Sequence, residues 1–389
     1  MGIHVDSDSI AKAITSSAVS RSVVVNSKAL TAWRAALASR STTQATILAV
    51  GDSITEGYSA TTRADKWTNR LQQQLAARYP VPAGNPAGGM WYPAWAAAAP
   101  DVAPTLGGTS SNQFYAGPGL SSVLWSSSSG STITFTVQGT SCKVWLVCPP
   151  TLGSLNATWS VDGGATTGFT VPQQAGTTLL QGRTIPLGAS GSHTVAIAYT
   201  GGFGHLQVAG VDVYDGEETV GVHVINGGHV TTTAKIWVDN DNLNAPGQSW
   251  MQASAALANP DLVLINLGVN DYLSGTTDAQ TYMRNIQTII AKHRLGAPNA
   301  SYALVANYET DPNSSGAHPI LPWSAYVNAL YNLIAVDPTV ALIDLTKFMP
   351  QTFAASTYGL YLGDNVHPNT IGNQMMADIL TDALGLRAS

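Results

Sequence analysis

The sequence predicts an α/β protein in which a parallel sheet, covered by helices on both faces, is interrupted by an all-β segment. Three observations predict it. Short apolar runs such as Ala45 to Val50 and Leu262 to Leu267 read as strands buried on both sides. Between such runs lie helical periodicities: Trp67, Leu71, Leu75 and Tyr79 at four-residue spacing, then Tyr282, Ile286, Ile289 and Ile290 on one face. After Gly130 the period changes to two, with Ile133, Phe135 and Val137 alternating with Thr132, Thr134 and Thr136.

Taken in order, residues 1–43 are rich in Ala, Ser and Thr, with scattered Val23, Val24, Leu30, Trp33 and Leu37. They read as one or two helices, or as an arm that docks on a partner. Residues 44–87 open the α/β pattern. Residues 88–216 hold many short strand-like runs, among them Lys143 to Val147, Thr158 to Val161, Thr194 to Tyr199 and Gln207 to Tyr214. Turn signals such as Asp162-Gly163-Gly164 separate them, which suggests a β-sandwich. Residues 217–389 resume the α/β pattern, with strands at Val222 to Ile225, Leu262 to Leu267, Ser301 to Ala306 and Val340 to Ile343. Helices fall near Trp323 to Ile334 and around Ile371, Met375, Ile379 and Leu380. Strand–helix alternation of this kind implies parallel pairing with helices on both faces.

Composition excludes several classes. At 389 residues the chain is long for one core and suggests two structural units. With 44% hydrophobic and only 10% charged residues it is not a disordered chain. A net charge of −6 and no basic run argue against nucleic acid as a partner. No apolar stretch approaches the ~20 residues that span a bilayer, so no membrane partner is expected. The N-terminus lacks the basic flank and apolar run of a secretory signal, which is therefore absent or removed. An extracellular or virion-associated location stays open. If their segment is extended, Cys142 and Cys148 stand roughly 20 Å apart, at ~3.3 Å per residue, farther than the ~7 Å a disulfide spans. They read as free thiols in or near a core.

Polar clusters occupy the ends of predicted strands, where open parallel sheets bind ligands. The first strand runs into Gly51-Asp52-Ser53, so that Ser53 emerges at a helix start in a positive local field. A later strand runs into Gly268-Val269-Asn270-Asp271 and delivers an amide, and the last leads to Asp364-Asn365-Val366-His367. A serine hydroxyl needs a base, and the base needs a third group to fix its tautomer. The Asp364-to-His367 offset lets one turn offer a carboxylate to one imidazole nitrogen while the other faces Ser53. The oxyanion needs donors, and Ser53 N–H, the Asn270 amide and a glycine N–H from Asn226-Gly227-Gly228 are available after strands. Each cluster alone has a bland explanation as a turn or cap. In this order, each at or beyond a strand end, they point to ester hydrolysis.

The segments GDSITEG, NGG, GVND and DNVH resemble the four blocks of the SGNH (GDSL) hydrolase family, in the same chain order, over roughly 44–80 and 220–386. The resemblance implies a three-layer α/β/α, flavodoxin-like core with an inserted, jelly-roll-like β-sandwich. It implies Ser53 as nucleophile, Asp364 and His367 as the rest of the triad, and Ser53, Gly228 and Asn270 as the oxyanion hole. His229 to Thr232 depart from the family's pattern, standing where a Ser-Gly pair often sits. Sandwiches of this kind are similar to those of carbohydrate esterases and phage tail hydrolases.

Other constellations point elsewhere only weakly. There is no G-x-S-x-G, P-loop or H-E-x-x-H, and the scattered histidines suggest no metal site and no cofactor. Trp91, Tyr92 and Trp95 form an aromatic cluster that either stacks on sugar or plugs a seam between units, and His229 is a further substrate-contact candidate. The expectation is an esterase removing acetyl or another short acyl group from carbohydrate or cell-surface polysaccharide. The competing expectation is a phage-tail or surface adhesin with a weakly active or inactive hydrolase-like domain. It would assemble as a homo-oligomer or dock into a tail-like structure through the N-terminal arm.

Overall fold

The computed structural model describes residues 24–386 apart from 59, 83–88, 94–103, 109, 117–120, 127, 149–152, 174–178, 203–204, 242–248 and 355–356. The chain opens with β1 (Val24–Val25), a 3-10 turn over Ser27–Leu30 and α1 (Thr31–Ala38). The α/β pattern begins with β2 (Ala45–Gly51), the four-residue α2 (Ser53–Glu56) and α3 (Trp67–Arg78). Nine strands follow without an intervening helix among the described residues: β3 (Gly89–Pro93), β4 (Thr105–Gly107), β5 (Ser110–Ala116), β6 (Ser121–Ser126), β7 (Thr132–Cys148), β8 (Gly153–Val161), β9 (Thr167–Gln173), β10 (Leu179–Gly202) and β11 (Leu206–Tyr214). The α/β pattern resumes with β12 (Val222–Gly228), α4 (Ala234–Asp239), α5 (Trp250–Ala258) and β13 (Leu262–Asn266). It closes with α6 (Val269–Ser274), α7 (Ala279–Gly296), β14 (Ser301–Ala306), α8 (Trp323–Val336), β15 (Val340–Asp344) and α9 (Thr370–Leu384).

Strands β15, β14, β13, β2 and β12 lie side by side and parallel, as their continuous apolar runs predict. From β2 the chain steps to β12 on one side, then back across β2 to β13, β14 and β15 on the other. Right-handed crossovers therefore lay helices on opposite faces. One group joins α3 to α9, with Trp33 of α1 donating its indole N–H to the Leu384 carbonyl at 2.8 Å. The other packs α4, α5 and α8 around α7.

Residues 24–43 are not a free arm. β1 pairs antiparallel with the edge strand β15, and Leu30, Trp33 and Leu37 are buried in the α/β core. Their spacing is helical, and an α/β core with an open face is where such a stripe goes. Residues 1–23 lie outside the described residues.

The all-β segment continues the parallel sheet by hydrogen bonding and is not a detached unit. β3 runs parallel to β12 through Val224 and Met90, β11 pairs with β3, and β7, β10, β8 and β9 follow in order. Two apolar clusters use this one ladder. On β7, Trp145 and Val147 face the α/β core, whereas Cys142, Val144, Leu146 and Cys148 face a second cluster with Ile133, Phe135 and Ile197. A strand's period of two does this sorting. On β11 a register shift between Val208 and Gly210 swaps the parity, so Leu206 and Val208, then Val211 and Val213, all reach the second cluster. Asp212 consequently points the other way. It meets His223 Nε2 of β12 at 2.9 Å and accepts the Trp145 indole N–H at 2.8 Å, with His223 and Asp212 both buried. Cys142 and Cys148 are free and buried, and burial pushes each thiol up to about 12. Among the described residues no helix is long and apolar enough to cross a membrane.

Candidate active site

The site forms where the winding of the sheet reverses. The C-terminal ends of β12, β2 and β13 open a crevice at this switch point, the place where open parallel sheets take ligands. β2 ends at Gly51, where any side chain would overlap Thr55 Oγ1 and the Asn266 carbonyl. The chain turns at once into α2. Asp52 stands extended at its N-cap, Oδ1 accepting the Ile54 N–H at 3.0 Å. Ser53 is thus a first helical residue whose N–H has no carbonyl within the helix.

His367 arrives from the loop between β15 and α9. Its Nε2 lies 2.8 Å from Ser53 Oγ, and its Nδ1 lies 2.7 Å from Asp364 Oδ2. With Nδ1–H donating to the carboxylate, Nε2 is left to accept the serine proton. Asp364 Oδ1 accepts the Val366 and His367 N–H groups at 2.9 and 3.0 Å. Burial pushes this carboxyl up, but the hydrogen bonds from the imidazole and the two amides, with the imidazole's charge, outweigh it and hold it down at about 2. Asn365, between the two, has φ 56, a left-handed turn that asparagine tolerates. Tyr58, just past the Gly57 turn that ends α2, sets its ring 5.0 Å from the His367 imidazole and is 51% exposed.

Asn270 enters from α6, after Gly268 at φ 128. Its Nδ2 donates to the Thr232 carbonyl at 3.0 Å, and an amide nitrogen carries a second hydrogen. Ser53, Asn270, Asp364 and His367 line one cavity of about 1110 Å³ with Tyr58 and Thr231.

Two sequence-predicted positions lie elsewhere. Gly228 donates its N–H to Asn226 Oδ1 at 2.9 Å and is not in the cavity wall. It is glycine because β12 presses on α2: a Cβ there would overlap the backbone of Thr55 and Glu56. His229 is also absent from the wall. It is 7% exposed, its N–H is bound to the Gly51 carbonyl at 3.0 Å, and burial lowers its pKa. Trp91 and Tyr92 fall on β3, and Trp95 lies outside the described residues.

One residue went unread. Thr231 lines the cavity with φ 63, a rare conformation for a β-branched residue, and its N–H has no acceptor among the described residues. The signal in the sequence was the missing Ser-Gly pair at 229–232. Beneath the crevice, burial raises the carboxyls of Asp52 and Asp271 to about 7 each. For Asp52 the neighbouring Asp271 adds to the rise, while the Ile54 N–H and His367 pull back. Asp271 Oδ2 accepts the Ala234 N–H at 2.9 Å and ties α6 to α4.

Residues 217–375 match the model of the GDSL-like Lipase/Acylhydrolase family. Among solved structures, a peptidoglycan O-acetylesterase is similar at 17% identity with a TM-score of 0.63, over 93% of this chain and 98% of that one. A carbohydrate esterase family 2 enzyme with a carbohydrate-binding domain, from Corynascus thermopiles (Myceliophthora fergusii), matches at 16% identity and TM-score 0.31, over 67% and 94%. A lipase/acylhydrolase from Enterococcus faecalis matches at 21% and 0.33, over 41% and 74%. The first likeness is one of fold; the other two carry nothing further. No curated protein matches the chain.

Proposed function

We propose, because residues 217–375 match the GDSL-like lipase/acylhydrolase model, that the protein is a serine esterase that removes short acyl groups, acetyl foremost, from carbohydrate. The observation that carries this reading is the unbroken hydrogen-bond chain from Ser53 Oγ through His367 to Asp364 at the sheet's switch point. Ser53 Oγ attacks the ester carbonyl carbon while His367 Nε2 takes its proton, and Asp364 steadies the imidazolium. The oxyanion is met by the Ser53 N–H, the second Asn270 amide hydrogen and the Thr231 N–H. Collapse breaks the bond to the alcohol, which leaves with the proton from Nε2. Water then repeats the sequence on the acyl-serine and releases the acid.

Support for a sugar alcohol comes from the cavity. At about 1110 Å³ it far exceeds an acetyl group, and its wall offers hydroxyls and amides from Thr233, Ser274, Thr276, Asn313 and Ser314. In the same reading the discontinuous hydrolase unit is 44–87 with 217–389, and 88–216 is an inserted unit that sets substrate choice. The test is acetate release from a panel of acetylated polysaccharides by the wild type and by Ser53→Ala, with fluorophosphonate labelling of both. Release and labelling that vanish together in the variant support the reading. Labelling that survives in Ser53→Ala, or no release from any acetyl ester, retires it.

A further inference from the structure

Asp364 is the most exposed member of the triad: its side chain keeps 40% exposure, against 15% for His367. An exposed carboxylate on a loop wanders unless its backbone is held, and a displacement of about 1 Å can cost a hundredfold in rate. What holds this loop is Asn365. Its left-handed turn lets Asp364 and His367 face each other, and it is gripped at both its polar ends. The Asn365 side chain donates through Nδ2 to Asp311 Oδ2 at 3.1 Å, and its carbonyl accepts the Asp311 N–H at 3.2 Å. Thr352 adds its hydroxyl to the same carbonyl at 2.5 Å.

Asp311 has a second task. Its Oδ1 accepts the Asn313 N–H at 2.8 Å, and its carbonyl accepts the Ser314 N–H at 3.1 Å. One half-buried carboxylate therefore fastens both the triad's acid–base turn and the start of the 311–317 loop that walls the cavity. No other side chain among the described residues bonds to both loops.

The geometry points to Asp311 as a positioning residue: it clamps Asn365 so that Asp364 and His367 stay aimed at Ser53. This rests on the triad reading above, and it adds a residue that touches none of the reacting atoms. On a small acetate that does not reach the 311–317 loop, a clamp of this kind acts on the turnover step, so with that substrate it separates kcat from KM.

The test compares wild type, Asp311→Ala, Asp311→Asn and Asn365→Gly. Asp311→Asn keeps one acceptor oxygen for two donors, and Asn365→Gly keeps the left-handed turn but drops the side-chain bond. Two readouts are taken: kcat and KM on a chromogenic acetate, and the proton resonance of His367 Nδ1–H, which the bond to Asp364 shifts far downfield and shields from exchange. Asp311→Ala should lower kcat roughly tenfold or more with KM within about twofold, and its resonance should broaden or vanish. Asp311→Asn and Asn365→Gly should fall between. The proposal is overturned if the resonance and kcat of Asp311→Ala match wild type. It is overturned equally if all three variants lose kcat only in step with their thermal midpoints while the resonance persists. The resonance needs no turnover, so a wild type that hydrolyses nothing defeats the esterase reading and leaves the clamp to be decided by the spectrum.

Discussion

The side chain of Asn226 folds back to accept the Gly228 N–H at 2.9 Å, and its Nδ2 reaches Thr68 Oγ1 at 3.0 Å. A motif glycine that looks like an anion donor is thereby a spacer between β12 and α2. Gly228→Ala should lower the thermal midpoint steeply, because the new Cβ meets backbone that cannot move aside. Thr231→Gly should keep kcat within a few fold, since glycine adopts the same positive φ and retains the N–H. Replacing the Thr231 amide by an ester, through an α-hydroxy acid at that position, should lower kcat roughly a hundredfold. An unchanged rate in the ester-substituted protein would return the third donor to another group.

Asn270→Ala should lower kcat with little change in KM, because in the proposed mechanism the lost hydrogen meets charge that exists only in the transition state. Removing one such donor costs about 2.7–4 kcal/mol in the best-measured case. Steady-state kinetics on a small acetate checks it; a raised KM at constant kcat would make Asn270 a ground-state contact.

Asp364→Asn should reduce kcat by less than His367→Ala does, though still by a large factor, up to about 10⁴ where the wrong tautomer results. The two variants are compared by kcat on one substrate. Equal losses would mean that the imidazole has no orienting partner besides Asp364.

Stability should fall as pH rises from about 5 to about 8. Asp52 and Asp271 hold their protons to about 7 in the fold, against about 4 in the unfolded chain, so the folded state binds more protons between those values. Their contribution is complete below the unfolded value and is lost as pH climbs through 7. Asp364 works the other way, its contribution vanishing as pH drops from about 4 toward 2. Melting curves across pH should show a fall of several degrees on the alkaline side, about what a kcal/mol or two produces. Asp52→Asn and Asp271→Asn should flatten it, since an amide still accepts the Ile54 and Ala234 N–H groups. A midpoint independent of pH over that range would contradict the burial of these carboxyls.

The parallel core was readable because burial on both sides leaves a plain mark. β2 and β13 are apolar runs, and Tyr282, Ile286, Ile289 and Ile290 form one face of α7. The stripe Leu30, Trp33 and Leu37 carries the same mark, but the Ala, Ser and Thr around it drown the signal. Partnership across strands leaves no local trace, which is why the pairing of β3 with β12 was unreadable. The same holds at the site. Ser53, Asn270, Asp364 and His367 are read from side-chain chemistry, whereas Gly228 and Thr231 differ in which amide is already bonded. Asp311 is, in the sequence, one loop aspartate among many.

The ladder that runs from β15 to β9 bears on whether the α/β part can be cut free of the all-β segment. A minimal version joining residue 82 to residue 217 would strip β12 of its neighbour and leave a row of unpaired amides and carbonyls beside the crevice. It would also leave His223 without its Asp212 carboxylate. Such a bare border invites another chain to pair with it, so the shortened protein should associate edge to edge more than the full chain does, which size-exclusion chromatography of the two checks. The pairing of β3 with β12 thus covers what would otherwise be an open edge of the parallel sheet.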